Sequence, residues 1–357
     1  MKIAMIGSGA AGSVFAGYLR RGGADITLVD PYKEHMDKIA KDGLTFVIYP
    51  DQEYQVTGYK TAYDAENIGK MDIVIFMTKA TQLESAIKTA EPCIGENTVL
   101  VSLLNGLGNE DKLAAAVGAG RVIYGSGVLG TALDGPGKCI SSPGAGEIQM
   151  NFGAMENNEL TQAAGKHLEK CFIDGGCPAK FWDDVRPALW TKIVVNATFN
   201  PLSAITRLKV KDLLADPNGL QMVIQVVSEC CAVATAKGCP MDPKTFMMGV
   251  KQSGGNGIVD YYPSMAQDML MFKRQTEIMT LNGAIAEYGK QLGIPTPPAT
   301  SSSSRSSACR PITISSTRDK HGLERKVRIE ARRHGRGGAQ DKERRHALRR
   351  HRHGRAL

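Results

Sequence analysis

Apolar runs and helical periodicity alternate over the first half of the chain. Residues 2–6 (KIAMI), 26–29 (ITLV), 72–77 (DIVIFM) and 98–104 (TVLVSLL) read as strands buried on both faces. Helix-like sequence lies between them. The first such stretch runs from Ala10 to about Arg21, and Gly22-Gly23 punctuates its end. This alternation predicts a parallel sheet covered on both faces. Residues 121–153 differ: VIYGSGVLG, GKCISSP and GEIQMNF, broken by Gly and Pro, predict short antiparallel strands that close a first domain. From about residue 184 the texture is helical, with segments near 186–199, 207–214, 217–237, 243–251 and 265–292. Pro201, Pro217, Pro240, Pro243, Pro263 and Pro295 are expected to mark the breaks, and Asp174-Gly175-Gly176 the domain boundary.

One predicted helix carries an anomaly. In ALWTKIVVNATFNPL, Lys192, Asn196 and Asn200 sit four apart, which keeps them on roughly one helix face. Leu189, Trp190, Ile193, Val194, Val195 and Phe199 make the rest apolar. Burying such polar groups without partners costs roughly 2–7 kcal/mol each. A small polar substrate would meet them; a lysine that snorkels to water beside capping asparagines is the plainer alternative. A lysine on an apolar helix suits proton donation, because desolvation lowers its pKa toward neutrality. Glu277, in Thr276-Glu277-Ile278 … Leu281-Asn282-Gly283, and Asn105, at the end of a buried strand, are further candidates. By spacing alone Glu277 also fits a solvated helix acid. Asn105 falls at the carboxyl edge of the sheet, where open α/β sheets bind ligands.

Gly7-x-Gly9-x-x-Gly12 follows the first strand and opens the first helix, and Asp30 ends the second strand. Strand, glycine turn, helix and acid in this order predict a Rossmann-type dinucleotide site, with Gly7, Ser8, Gly9, Ala10, Ala11 and Gly12 around the pyrophosphate. A glycine turn used only for packing is the competing reading. A carboxylate at Asp30 would accept hydrogen bonds from ribose hydroxyls and repel a 2′-phosphate, which favours NADH over NADPH, with Lys33 near enough to soften the repulsion. A solvated surface acid is the alternative. Such a domain supplies a hydride carrier; a carbonyl reduction also needs a proton donor and hydrogen bonds to the developing alkoxide.

Composition narrows the picture. The chain has 357 residues, 42% hydrophobic and 22% charged, enough for about two domains. No stretch reads as a bilayer span, and MKIAMIGSGAAG lacks the pattern of a signal peptide, so a cytoplasmic enzyme without a membrane partner is expected. The eight cysteines form no CxxC pair and no metal-type spacing, which predicts reduced, buried thiols and no metal. The net charge of +8 belongs to the C-terminus: residues 301–357 hold 17 Lys/Arg against 5 Asp/Glu, leaving 27 against 31 before them. After Pro297-Pro298, SSSSRSSACRP and Arg/His-rich text predict disorder. The tail could neutralise nucleic-acid phosphates, yet it lacks aromatic residues for stacking, so a nucleic-acid partner is not expected. A non-catalytic nucleotide-binding protein is the reading from another class.

The motifs GSGAAG (7–12), TKATQ (78–82), LLNGLGN (103–109), LWTKIVVNATFNPLSA (189–204), PSMAQD (263–268), TEI…LNG (276–283) and GIPTP (293–297) stand in order along the chain. Together they resemble the ketopantoate reductase family (2-dehydropantoate 2-reductases) over residues 1–298. The resemblance implies a Rossmann-type α/β domain at 1–175, an all-α substrate domain at 176–298, and an active site between them. It implies that Lys192 is the general acid, that Glu277 binds the substrate hydroxyls, and that Asn105, Asn196, Asn200 and Ser264 position the substrate. Lys79 and Gln82 fall at cofactor-side positions, and Asn105 borders the cofactor as well. The implied reaction reduces 2-dehydropantoate to pantoate with NADPH, on the route to pantothenate and coenzyme A. A homodimer is compatible with this picture. Asp30 departs from NADPH use and keeps NADH-dependent reduction of another small 2-keto acid open. Relatives of 6-phosphogluconate or 3-hydroxyisobutyrate dehydrogenases share the two-domain plan, but LLNGLGN and TEI…LNG weigh against them. The segment 299–357 departs from the family, which implies one more amphipathic helix there; a reading-frame shift near residue 298 would produce such a tail.

Overall fold

A strand of five residues, β1 (Lys2–Ile6), starts the computed structural model, with Ile3, Ala4, Met5 and Ile6 buried. The structure describes residues 1–144, 147–254, 262–273 and 276–299; the expected tail lies outside them from residue 300. The described residues all fall within one compact unit.

Helix α1 (Ala10–Arg21) leads to β2 (Asp25–Val29) through Gly22 and Gly23, the latter at φ +89°. There follow α2 (Lys33–Asp42), β3 (Leu44–Ile48), β4 (Gln52–Val56), β5 (Lys60–Ala62), β6 (Met71–Phe76), α3 (Leu83–Ala90), β7 (Ile94–Ser102) and α4 (Asn109–Val117). Next come β8 (Val122–Gly127), β9 (Leu129–Leu133), β10 (Lys138–Pro143), β11 (Met150–Ala154), α5 (Glu159–Asp174) and β12 (Ala179–Trp182). Eight strands make one sheet in the order β12-β11-β8-β7-β6-β1-β2-β5, and four make a second, β4-β3-β10-β9. From β5 through β8 all pairings in the large sheet are parallel, which requires helical crossovers and apolar strands. Helix α1 is buried between the two sheets, where Gly17 faces the ring of Phe46 and Tyr18 meets Phe46 edge-on at 4.8 Å.

The strands of residues 121–153 do not all run as expected. β8 pairs parallel with β7, and only β9–β10 and β8–β11 are antiparallel. Strands β3 to β5 were not expected: β4 (QEYQV) and β5 (KTA) are too polar to stand out as apolar runs, whereas β3 (LTFVI) is apolar except for Thr45. β12 pairs parallel with β11, so strand pairing with the large sheet extends past the expected boundary at 174–176. Gly175-Gly176 is the turn that feeds β12, with Gly176 at φ +91°.

The helical region comprises α6 (Arg186–Thr206), α7 (Val210–Ala215), α8 (Pro217–Ala236), α9 (Pro243–Gly254), α10 (Ser264–Gln267) and α11 (Asn282–Leu292). Two expectations change here. Helix α6 continues through Pro201 instead of ending there. Proline has no N–H for the Ala197 carbonyl, and Asn282 Nδ2 donates to that oxygen at 2.9 Å instead. The segment expected as one helix over 265–292 is broken into α10, a π-type turn at 268–272, a short turn at Ile278–Thr280, and α11. Helix α8 is long and apolar enough to cross a bilayer by length and composition alone, a test that the core helix of a globular protein also passes. Its Val223, Val226, Val227, Cys230 and Cys231 are buried in the helical core with Val194 and Phe199 of α6, which accounts for its apolar face. The seven cysteines described are unpaired and buried.

Candidate functional site

Five neighbouring parallel strands end on one edge of the large sheet, in the spatial order β2, β1, β6, β7 and β8. Asp30 follows β2, Gly7–Gly12 follow β1, Lys79 and Gln82 follow β6, Asn105 follows β7, and Gly127 ends β8. Parallel pairing therefore collects residues far apart in the chain along a single rim, where open α/β sheets place their ligands.

The three fingerprint glycines are glycine for different reasons. Gly7 sits at φ +94°, and a Cβ there would lie 2.9 Å from the Met77 and Thr78 backbone. At Gly12 a Cβ would fall 2.0 Å from the Gly7 carbonyl oxygen, so this residue allows α1 to pack on the turn. A Cβ on Gly9 would meet nothing within 4 Å. Gly9 is exposed and is the N-cap of α1 without a side-chain cap, leaving the first N–H groups of the helix open to an anion. Ser8 Oγ is buried and has no hydrogen-bond partner among the described residues. Ala10 and Ala11, half-buried, begin the helix. A pyrophosphate fits this turn.

Asp30 is held rigidly. Its Oδ2 accepts the Ser8 N–H at 2.7 Å and its Oδ1 the Tyr32 N–H at 2.9 Å. Asp30 is thus not a solvated acid swinging on the surface; it is fastened to the glycine loop.

Lys192, on α6, is half-buried, and its Nζ reaches the rim. It donates to Asn105 Oδ1 at 2.8 Å and to the Gly127 carbonyl at 2.6 Å. An ammonium has three N–H groups; two are anchored by the protein, and the third has no protein acceptor among the described residues. Burial pushes its pKa down to about 8, and the Glu277 charge opposes that fall. This geometry differs from snorkelling, in which the amine would reach bulk water.

Glu277 lies in a loop ahead of a short turn, not within a helix. The Thr280 N–H and Oγ both donate to the Glu277 carbonyl, at 3.1 and 2.9 Å. Thr280 is tied across the cleft, because its carbonyl accepts the Leu107 N–H at 3.0 Å. Gly106 permits that approach: at φ +100°, its Cβ would fall 2.7 Å from the Thr280 Cβ. The LLNGLGN motif therefore does two things, aiming Asn105 at Lys192 and letting the Glu277 segment close on the loop. Lys79 Nζ stands 3.9 Å from Glu277 Oε1, a long and largely exposed pair that contributes little stability. Asn196 and Asn200 follow Lys192 by one and two turns, about 6 and 12 Å along the axis, half-buried and buried respectively. Ser264 and Gln82 are exposed, and no hydrogen bond joins either to Lys192. The residues that sequence reasoning did not single out are Gly127, which acts through its carbonyl, and Asn282, which supports α6 at Pro201. A backbone acceptor leaves no mark in side-chain identity; Asn282 was visible only as part of a motif.

Comparison with known proteins identifies relatives of the chain. The family model described as "Ketopantoate reductase PanE/ApbA" matches residues 3–157, and "Ketopantoate reductase PanE/ApbA C terminal" matches 184–301. The 2-dehydropantoate 2-reductase of Streptococcus pyogenes serotype M6 is 30% identical over 298 residues, covering 83% of this chain and 94% of that protein. Among solved structures, the ternary complex of D-mandelate dehydrogenase with NADH and anilino(oxo)acetate superposes with a TM-score of 0.75 at 28% identity, over 87% of this chain and 98% of that one. The 2-dehydropantoate 2-reductase of Geobacter metallireducens GS-15 does so with a TM-score of 0.76 at 27% identity, over 86% and 99%. The glycine turn, the rim and the helical region with its lysine thus fit one assignment: the chain belongs to the ketopantoate reductase family.

Proposed function

We propose that the chain reduces 2-dehydropantoate to pantoate, with Lys192 as general acid and a nicotinamide dinucleotide as hydride source. The observation that carries this reading is the Lys192 ammonium, held at the rim by Asn105 Oδ1 and the Gly127 carbonyl with one N–H to spare. When bound, the dinucleotide supplies the hydride that adds to the keto carbon. The two anchored N–H groups of Lys192 fix the direction of the third, which faces the keto oxygen. As the C=O π bond breaks and negative charge gathers on that oxygen, the proton passes from Nζ to it, leaving a neutral amine and an alcohol. A pKa of about 8 lets the amine regain its proton from solvent near neutral pH. The Glu277 carboxylate, across the cleft, accepts hydrogen bonds from the substrate hydroxyl, and Asn196, Asn200 and Ser264 orient the carboxylate end of the substrate. Lys79 and Gln82 border the cofactor.

A second reading shares the chemistry and differs in cofactor and acid: NADH-dependent reduction of another small 2-keto acid. Asp30 favours it, because a carboxylate fastened by two backbone N–H groups cannot swing away from a 2′-phosphate. The test follows NADH and NADPH oxidation separately against ketopantoate and a panel of 2-keto acids, with Lys192→Ala beside the wild type. Loss of roughly 10²–10⁴-fold in kcat, with unchanged thermal unfolding, is expected of that variant. Wild-type kcat in Lys192→Ala overturns the general acid; activity with none of the acids overturns the reductase.

A further inference from the structure

A buried chain of hydrogen bonds runs from α2 to the glycine loop and ends at Asp30. His35 is fully buried. Its Nδ1 accepts the Gly137 N–H at 2.9 Å, from the turn between β9 and β10. The proton of the neutral ring therefore sits on Nε2. Nε2 lies 3.0 Å from Ser13 Oγ, so the ring donates to the hydroxyl, and the hydroxyl donates to the Ser8 carbonyl at 2.7 Å. The Ser8 N–H completes the run by donating to Asp30 Oδ2 at 2.7 Å. Gly137 N–H, His35 Nε2–H and Ser13 Oγ–H each find an acceptor along this path, which fixes its direction from Gly137 to Ser8. Burial lowers the His35 pKa and keeps the ring neutral, against the pull of Asp30.

The consequence falls on Ser8, which is gripped on both sides. In a trans peptide the C=O and N–H point in opposite directions. Drawing the Ser8 carbonyl inward to Ser13 turns the Gly9 N–H the opposite way, at the uncapped N-terminus of α1. The Ser8 N–H, on the other side, sets the position of the Asp30 carboxylate.

We propose that His35 and Ser13 are positioning residues for the dinucleotide: through Ser8 they aim the Gly9 N–H at the pyrophosphate and hold Asp30 against the ribose, which supports selection of NADH over NADPH. The inference rests on the NADH reading of Asp30. Neither residue touches the cofactor; both act through the loop.

The experiment is a fluorescence titration of the full chain with NADH and with NADPH, which needs no substrate. Wild type is compared with Ser13→Ala, His35→Leu and His35→Gln, the last able to donate and accept at once. Ser13→Ala and His35→Leu are expected to weaken NADH binding about tenfold, equivalent to about 1.4 kcal/mol, and to change NADPH binding less. His35→Gln is expected to restore most of the NADH affinity. A purely structural histidine would instead lower Tm and leave the ratio of the two affinities unchanged, and that unchanged ratio overturns the proposal. Wild type binding NADPH more tightly than NADH overturns the Asp30 reading by itself. The nitrogen-15 shifts of wild-type His35 give an independent test: a ring protonated on Nδ1 at neutral pH overturns the chain of donors, whether or not the variants fold.

Discussion

Asn105→Ala and Asn105→Asp should move the pKa of the proposed proton donor, Lys192, in opposite directions. Asn105 Oδ1 accepts from Lys192 Nζ at 2.8 Å, a bond that favours the charged amine. Hydrogen bonds to charged groups contribute about 1.5–3 kcal/mol, and the exposure of Asn105 places this one at the low end. At 1.36 kcal/mol per unit, its loss lowers the Lys192 pKa by about one unit, from about 8 to about 7. A carboxylate in the same place adds charge attraction and raises the pKa, to about 9 or above. The general acid must be protonated to act, so kcat/KM for reduction falls as pH rises through this value. The assay is therefore the pH profile of kcat/KM: the alkaline limb stands near pH 8 in wild type, lower in Asn105→Ala and higher in Asn105→Asp. Loss of a substrate contact raises KM at every pH and leaves the limb where it is. Limbs that stay at the wild-type pH in both variants, or that shift the same way, refute the assignment of Lys192.

Other consequences separate ligand from packing. Gly9→Ala is expected to weaken NADH binding at least tenfold while Tm stays within about 1 °C, because the added Cβ meets no protein atom; Gly12→Ala, 2.0 Å from a carbonyl oxygen, is expected to lower Tm. Thermal melts with cofactor titrations check both, and a destabilised Gly9→Ala would contradict the open loop. Glu229, half-buried on α8, accepts the Ala299 N–H at 3.0 Å, and burial pushes its carboxyl up to about 7 from 4.5. The folded state then holds a proton that the unfolded chain releases, so stability falls as pH rises from about 4.5 to about 7. Glu229→Gln should therefore raise stability at pH 8 by about 1 kcal/mol, after discounting for solvent exposure, and leave it unchanged near pH 4. Calorimetry at the two pH values tests this; equal effects at both would remove Glu229 as the cause.

Much of the site was legible because its signals are local. A strand, a glycine turn and a helix follow one another within residues 2–21, and each leaves its own mark in side-chain size and spacing. Lys192, Asn196 and Asn200 were visible because 3.6-residue periodicity exposes a polar residue on an apolar face. The helix break at Pro201 was misread for an equally physical reason: whether proline ends a helix depends on who takes the orphaned carbonyl. Asn282, 85 residues away from Ala197, takes it. The polar strand β4 escaped notice because its pairing with β3, not its own hydrophobicity, holds it in a sheet.

The sequence by itself determined the dinucleotide turn, the acid after the second strand and the polar stripe of α6, since these depend on neighbours within a few residues. The tertiary structure alone decided what they meet. It placed Lys192 against Asn105 and Gly127, 87 and 65 residues distant, and tied Thr280 to Leu107, which brings the Glu277 segment to the loop after β7. It also joined His35 to Gly137, 102 residues on, and thence through Ser13 to the loop. Such contacts are fixed by the order of strands in the sheet and by close packing, to which every residue in the core contributes and which no short window of sequence contains.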